Sequence, residues 1–377
     1  MEYVCNNKDK CTGCSACAQI CPKSAISMNV NDEGFLYPQI NDSLCVDCGL
    51  CHSVCQAELE VSANKLANNI FLCYSKDDFV RKKSSSGGIF YEIAKSVITD
   101  GGYVCSAKYN GDFEVIHVVA SSLEELNAML KSKYIQSNIG DTYKIIEELL
   151  SNDKKVLFVG TPCQVKGLKM FLKKDYKNLL CGEVVCHGVP SNKVFKKYID
   201  YVHKNSKLKS IDFRDKTTGW KDYTIKFEFE DGYIFQEKRN KCLYFMGFID
   251  NLYLRKSCYW CDCKLENSFA DFTLGDCWGI EKIAPQNDDD KGVSLLIINT
   301  EKANWLKNSL NDIYIEEIDS EEFLKYNPSI SVSASYNDKR KIFFDNFNKY
   351  DFGTLWDYVY TDSKLKRLKI SMLNKVK

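Results

Sequence analysis

Two kinds of apolar patterning alternate along most of the chain. Short unbroken apolar runs, VLFVG (156–160) and VSLLIIN (293–299), have the length of strands buried on both faces. IFLCY, YVCSAKY, EVIHVVAS and LLCGEVVCHG also read as strands, the last ending at Cys186. Between them IFYEIAKSVI, TYKIIEELLSN and SNKVFKKYIDYVHKN carry the apolar spacing of amphipathic helices. Gly101-Gly102 stops the first helix, and SLEELNAML is a further helix with its own cap. VLFVG turns through Thr161-Pro162 into the helix CQVKGLKMFLKK, and TIKFEFEDGYIFQEK is a hairpin around Asp231-Gly232. Strands alternating with helices predict an α/β domain over residues 70–330. NDDDKG is expected to be a solvated acidic loop, and residues 331–377 a polar, helical C-terminal tail.

Residues 1–62 are patterned differently. They hold two similar halves, each a cysteine loop followed by a short helical turn (ACAQICP and LCHSVCQ). FLYPQIN between them is expected to be a strand pairing near the N-terminal EYVC. A polar linker, Ser62–Asn69, follows.

The cysteines change the picture most. Cys11, Cys14, Cys17 and Cys21 are spaced C-x2-C-x2-C-x3-C, and Cys45, Cys48, Cys51 and Cys55 repeat that spacing. This is the ligand pattern of a bacterial ferredoxin with two [4Fe–4S] clusters, in which each fourth cysteine serves the other cube. Cluster one would take Cys11, Cys14, Cys17 and Cys55; cluster two would take Cys45, Cys48, Cys51 and Cys21. Structural zinc is the rival, but it has no use for the third cysteine of each run. Pro22 closes the first run, whereas Gln56 stands where the second would have its proline, a change of loop geometry rather than of ligand. The fold class is therefore an α+β ferredoxin-like 2[4Fe–4S] module fused to a larger α/β domain.

Composition narrows the partners. Lys+Arg and Asp+Glu both total 51 in 377 residues, which gives no electrostatic reason for a nucleic-acid or anionic-membrane partner. No stretch approaches the ~18 apolar residues of a membrane span. Nineteen cysteines behind a start, MEYVCNNKDK, without an apolar signal region suggest thiolates in a reducing, cytoplasmic compartment rather than disulfides. The expected partners are an electron donor or acceptor protein, or a small redox cofactor.

Cysteines recur in the large domain at Cys163, Cys186, Cys258, Cys261, Cys263 and Cys277, most at turns or strand ends. Singly each reads as a buried structural cysteine; Cys163, at a helix start, also reads as a reactive thiolate. Four together read as the ligands of a third cluster. SSSGG (84–88) puts hydroxyls and glycines at a helix start, which suits either a phosphate or an ordinary Ser cap. Lys131 and Lys133 could balance a pyrophosphate or simply be solvated. His187 beside Cys186 could be a general base or a packed histidine. Asp276 and Trp278 form a turn that is either structural or part of a flavin pocket. No G-x-G-x-x-G follows a strand and no Walker A motif is present, so a Rossmann nicotinamide site is unsupported.

RKKSSSGGIFYEIAKSVITDGGYVCSAKY, LKSKYIQS, VLFVGTPCQVKGL, VVCHGVPS, SCYWCDCK and ADFTLGDCWG follow one another in that order. In this combination the chain resembles the family of coenzyme F420 hydrogenase/dehydrogenase beta subunits, in the form with a fused ferredoxin, over roughly residues 1–330. The resemblance implies a flavin- and cluster-binding domain holding FAD beside a third [4Fe–4S] cluster. It also implies electron exchange with a deazaflavin, coenzyme F420, or another small acceptor. It assigns Cys163, Cys186, Cys258 and Cys261 to that cluster, and Ser85, Ser86, Gly87, Gly88, Lys133, Tyr134 and Gln136 to the neighbourhood of FAD. Cys263 and Cys277 stand where the family usually has other residues, as spare thiols or alternative ligands. A non-catalytic electron-transfer subunit, or a thiol-redox enzyme using Cys163 or the Cys258/Cys261 pair, are the other readings.

Overall fold

The computed structural model describes residues 4, 5, 7–58 and 69–361. The linker Ser62–Asn69 (apart from Asn69), the first residues of EYVC and the end of the expected tail lie outside them. In the N-terminal module β1 (Ile26–Val30) and β2 (Leu36–Ile40) form an antiparallel hairpin. FLYPQIN thus pairs with the segment just before it, while the expected pairing near EYVC falls partly outside the described residues. The cause is local: the Asn31 side chain accepts from the Phe35 amide at 2.8 Å and Gly34 adopts φ +89°, closing a tight turn.

The large domain contributes β3 (Asn69–Ser75), β4 (Tyr103–Tyr109), β5 (Val115–Ala120), β6 (Val156–Gly160) and β7 (Leu179–Val184). It continues with β8 (Leu208–Asp215), β9 (Thr224–Phe229), β10 (Ile234–Lys238), β11 (Phe272–Asp276), β12 (Ser294–Ile298) and β13 (Ile313–Glu317). Eight of these form one sheet in the order β13-β3-β12-β11-β7-β6-β4-β5. Its centre, β11-β7-β6-β4, is parallel, and antiparallel strands flank it on both sides. Both faces are covered, which is why VLFVG and SLLII are buried at every position. Helices Thr142–Ser151 and Pro162–Leu172 pack through Ile146, Val165 and Leu168 on one face. Helix Ile89–Thr99 packs through Ile89 and Ile93 on the other.

The second sheet, β10-β9-β8, is an antiparallel meander. Phe213, Phe227 and Phe229 lie in a core shared with Phe343, Phe352, Leu355 and Val359, from helices Lys339–Asp345 and Phe352–Tyr360 of the expected tail. The described part of that segment is thus built into the domain. The acidic loop is tied down as well: buried Arg81 forks onto Asp289 at 2.6 Å and donates to the Gly292 carbonyl. Among the described residues no helix is long and apolar enough to cross a membrane.

The ferredoxin module is docked, not tethered. Ala16 and Val54 belong to the core that holds Phe158, Val165 and Leu168. Gln19 Oε1 accepts from the amides of Tyr143 and Lys144, serving the free N–H groups at a helix start. Arg340, 3% exposed, forks onto Glu33 in the β1–β2 turn and also donates to the Leu254 carbonyl. Gly167 lies against the first cysteine loop: a Cβ there would stand 2.8 Å from Cys14 Cβ and 3.0 Å from Tyr143 Oη.

Two outcomes are expected. Glu33→Ala leaves a buried guanidinium uncompensated and should lower stability by about 3 kcal/mol, while adding Arg340→Met recovers most of that loss; urea unfolding of both variants measures it. Gly167→Leu should cost about 1–3 kcal/mol by overpacking, visible in the same assay as a lower midpoint.

Candidate functional site

The parallel strands run side by side, so their carboxyl ends open onto one edge of the sheet. In open α/β sheets ligands bind outside those ends. A cavity of about 1190 Å³ lies there, lined by Gly160–Gln164 beyond β6, Val184–Val189 beyond β7 and Leu274–Asp276 with Trp278 at the end of β11. It exceeds the ~300–1,000 Å³ of an ordinary small-molecule pocket. β7 ends at Val184, so Cys186 sits in the loop beyond it, on the cavity wall.

One wall is thiol-rich: Cys163, Cys186, Cys258 and Cys261 all line the cavity. Pro162 opens the helix that carries Cys163, and Gln164 Oε1 accepts from the Thr161 amide at 2.9 Å, fixing the turn. The four thiols are electrostatic neighbours. Burial first, then the charges of Cys261 and Cys186, push the Cys163 thiol far up. Burial, then neighbouring cysteines of the same set, push Cys186 and Cys258 up to about 12 each. Burial thus raises the Cys163 thiol despite its place at a helix start. Cys261 is held below the usual thiol range, first through its contact with the Cys263 side chain, which rises in exchange.

The two extra cysteines part company. Cys263 lines the cavity, within reach of Asp262 and Gln56. Cys277 is fully buried in a separate core with Trp220, Ile280 and Leu295. Among the described residues no three His, Cys, Asp or Glu side chains converge to hold a single metal ion. A cubane asks for a different arrangement, four thiolates around a larger body, each on its own iron.

The same cavity is lined by Ser85, Ser86, Gly88, Lys133, Tyr134 and Gln136. The cap of helix Ile89–Thr99 is Gly88 at φ +92°, with no side-chain cap bond, so the Ser-cap reading is replaced by a glycine cap. Ser85 Oγ accepts from the Ser132 amide at 2.7 Å, joining the two predicted cofactor segments. Gly87 is not on the wall: a Cβ there would meet the Cys73 carbonyl at 2.7 Å and the Ser294 amide at 2.8 Å, so it packs the segment onto the sheet. Lys133 reaches the wall, but its ammonium donates to the carbonyls of Met129, Leu130 and Lys131. Burial lowers its pKa to about 7, and all three donors are spent. Lys131 pairs with Asp212. Both ammonium groups thus already have partners within the chain.

Arg214 is a further cation at this cavity, one with no mark in the sequence. It donates to Asp276 Oδ2 at 2.6 Å and lies over the rings of Tyr223 and Trp278. Its buried Nε and Nη2 have no partner and it lines the cavity, which suits an anionic group. Trp278 stacks on Trp220 at 4.6 Å and 5°, and Asp276 Oδ1 accepts from the Trp220 indole, so this turn is both structural and part of the wall. His187 faces Phe248 at 5.0 Å, with burial lowering its pKa, and is a packed histidine of the wall. His203 pairs with Asp231 and is no part of the cavity lining.

The ferredoxin cysteines lie close enough to feel one another. Burial, then the charges of Cys14, Cys11 and Cys55, push Cys17 up; Cys51 rises through burial and also feels Cys45 and Cys21. Cys14 is in turn among the charges felt by Cys163. Two residues missed from sequence span this junction. Gln56, 6% exposed, donates to Thr12 Oγ1 at 3.1 Å and to the Cys163 carbonyl at 2.8 Å. Its signal was the missing proline. Arg255, three residues before Cys258, donates to Cys11 O and to Gln136 Oε1. A basic residue beside a cysteine pair was its only mark.

Residues 10–59 match the family model for a 4Fe-4S dicluster domain. Residues 153–322 match the model for the C terminus of the beta subunit of coenzyme F420 hydrogenase/dehydrogenase. The chain is 22% identical over 285 residues to the F subunit of the F(420)H(2) dehydrogenase of Methanosarcina mazei, covering 71% of this chain and 75% of that protein. It is 24% identical over 329 residues to the coenzyme F420-dependent sulfite reductase of Methanocaldococcus jannaschii, covering 84% of this chain but 48% of the relative. A chain of the F420-reducing [NiFe] hydrogenase complex of Methanosarcina barkeri superposes with a TM-score of 0.47 at 16% identity, over 71% of this chain and 91% of that one. The protein joins a 4Fe-4S dicluster domain to a C-terminal domain of the family of coenzyme F420 hydrogenase/dehydrogenase beta subunits.

Proposed function

We propose that this chain is an iron–sulfur flavoprotein oxidoreductase that links the ferredoxin clusters, by way of a third cluster, to an FAD-bound reduction of a deazaflavin or other small acceptor. One observation carries the reading: a single cavity at the strand ends is lined both by four cysteines and by the serine and Gln136 segments, with Cys14 of the ferredoxin module beside Cys163. When bound, the clusters supply single electrons and the flavin collects them in pairs.

In this reading Cys163, Cys186, Cys258 and Cys261 hold the third cluster, displacing the protons that burial otherwise keeps on most of these thiols. The unpartnered Arg214 N–H groups and the uncapped N–H groups after Gly88 receive the anionic part of FAD. Ser85, Ser86 and Gln136 orient it, and Tyr134, packed among Phe213, Phe245 and Phe248, backs it with a rigid wall. Ser85 also fixes the Ser132 segment, so the two cofactor-facing loops move as one. Cys45 and Cys48 are exposed, and this end of the ferredoxin module is where a donor would meet the chain.

Anaerobic purification followed by iron, sulfide and flavin analysis tests the reading. About twelve irons and one FAD per chain are expected; about eight irons without flavin would overturn it. Cys258→Ala and Cys261→Ala should each lower the iron content by about four and leave the ferredoxin absorbance in place. Unchanged iron in both variants would remove these residues from the ligand set.

A further inference from the structure

Arg255 is 1% exposed, and among the described residues no carboxylate forms an ion pair with it. Its guanidinium donates to neutral acceptors: Nε to the Cys11 carbonyl at 2.8 Å, Nη2 to the Leu36 carbonyl at 2.9 Å, and Nη1 to Gln136 Oε1 at 3.1 Å. Nη2 also points at Cys11 Sγ, 3.7 Å away. The Tyr37 ring covers the guanidinium at 4.3 Å and Phe35 flanks it at 5.5 Å. Gly13, at φ +70°, lets the cysteine loop close over it, since a Cβ there would stand 3.0 Å from Nη1. Hydrogen bonds to carbonyls satisfy the donors but leave the positive charge itself unbalanced. A buried cation in that state is costly unless an anion stands beside it. The anionic candidate in contact is the thiolate of Cys11, and with it the cluster that cysteine would hold.

We propose that Arg255 is the buried counter-charge of the ferredoxin cluster nearest the large domain and sets that cluster's reduction potential. The inference rests on Cys11, Cys14, Cys17 and Cys55 holding a cubane, as in the proposed function. A cubane with four thiolate ligands is anionic and gains one further negative charge on reduction, so a fixed cation beside it favours the reduced form and raises the potential. Shielding by Phe35 and Tyr37 keeps that field from being screened by water. Because Nη1 also holds Gln136 on the cavity wall, one side chain both favours the electron's arrival at this cluster and orients a residue of the next site. Arg255 acts through Cys11 and Gln136, and is a positioning residue rather than a catalytic one. Its hydrogen bonds do not reach Cys45, Cys48 or Cys51, whose cluster serves as an internal reference.

The test is an EPR-monitored redox titration of the full-length protein, with iron analysis on each sample. In Arg255→Met one wave should shift so that the reduced-to-oxidised ratio at fixed poise falls about tenfold, equal to 59 mV for one electron, while the reference cluster keeps its potential. Arg255→Lys, which retains the charge, should stay close to the parent protein. If the methionine variant fails to hold iron, Arg255→Gln is read in its place, since it keeps polar contacts and loses only the charge. Unmoved waves, waves that all move together, a lysine variant displaced as far as the neutral one, or iron lost in all three variants would each overturn the role. A parent protein with no cubane signal on reduction would instead remove the cluster reading beneath it.

Discussion

The close approach of helix Pro162–Leu172 to the first cysteine loop is the constraint on which the rest depends. Cys163 and Gly167 are four residues apart, about one turn and ~6 Å along the axis. Cys163 starts that helix on the cavity wall, and Gly167 presses against Cys14 one turn later. One rigid element therefore holds both cysteine sets, and their separation does not depend on a linker. Only a residue without a Cβ permits this, because the contact at position 167 already lies at van der Waals range. The same helix is anchored to the sheet through Val165, Leu168 and Phe171, so it cannot retreat without opening the core.

A junction this close must also satisfy the polar groups that it buries. Cysteine loops expose many backbone carbonyls and amides, and those facing the large domain are out of water. Gln56 and Arg255 meet that demand by reaching across, Gln56 to Cys163 O and Arg255 to Cys11 O and Leu36 O. This gives the second run a reason to end in glutamine. A proline at position 56 would restrict the loop but offer no donor to the Cys163 carbonyl. Gln19 and Ser191 make comparable crossings, to the Tyr143 amide and the Glu33 carbonyl. Polar crossings of this kind define one docked orientation, whereas apolar contacts alone would tolerate sliding.

What was legible in the sequence was what local chemistry controls. Apolar runs and helical spacing located the central strands and most of the longer helices, because those segments are buried in ways that their composition reports. Cysteine spacing located the segment that matches a 4Fe-4S dicluster domain, since ligand geometry constrains spacing over a few residues. Long-range consequences were not legible. The pairing of FLYPQIN with β1 had no mark in the sequence, because it depends on the turn at Asn31–Phe35. LKSIDFRD and IYIEE, β8 and β13, lack a clean alternation and went unread. Lys133 looked available until three carbonyls were found around its ammonium, and Gly87 looked like a cofactor glycine until its contact with β3 and β12 appeared. Arg214 gave no signal, because its value comes from partners over 60 residues distant in sequence, Asp276 and Trp278.

A relay must be open to a partner at one end and closed to water where charge is paired into a two-electron product. The cysteines differ in this respect: Cys45 and Cys48 are exposed, whereas Cys11, Cys14, Cys163 and Cys186 are partly covered. Solvent exposure and nearby charge are two of the main controls on a cluster's potential. Beside the covered cysteines and in the cavity they line, the fixed charges of Arg255, Lys264 and Arg214 carry more weight than at the exposed ones. Lys264 donates to the Cys186 carbonyl at 2.7 Å, and Arg214 stands at the far end of the cavity wall between Trp278 and Tyr223. Positive side chains thus accompany the path from its covered beginning to its end. Under the proposed function, a cluster or flavin held at these places would have a fixed cation nearby to favour its reduced form.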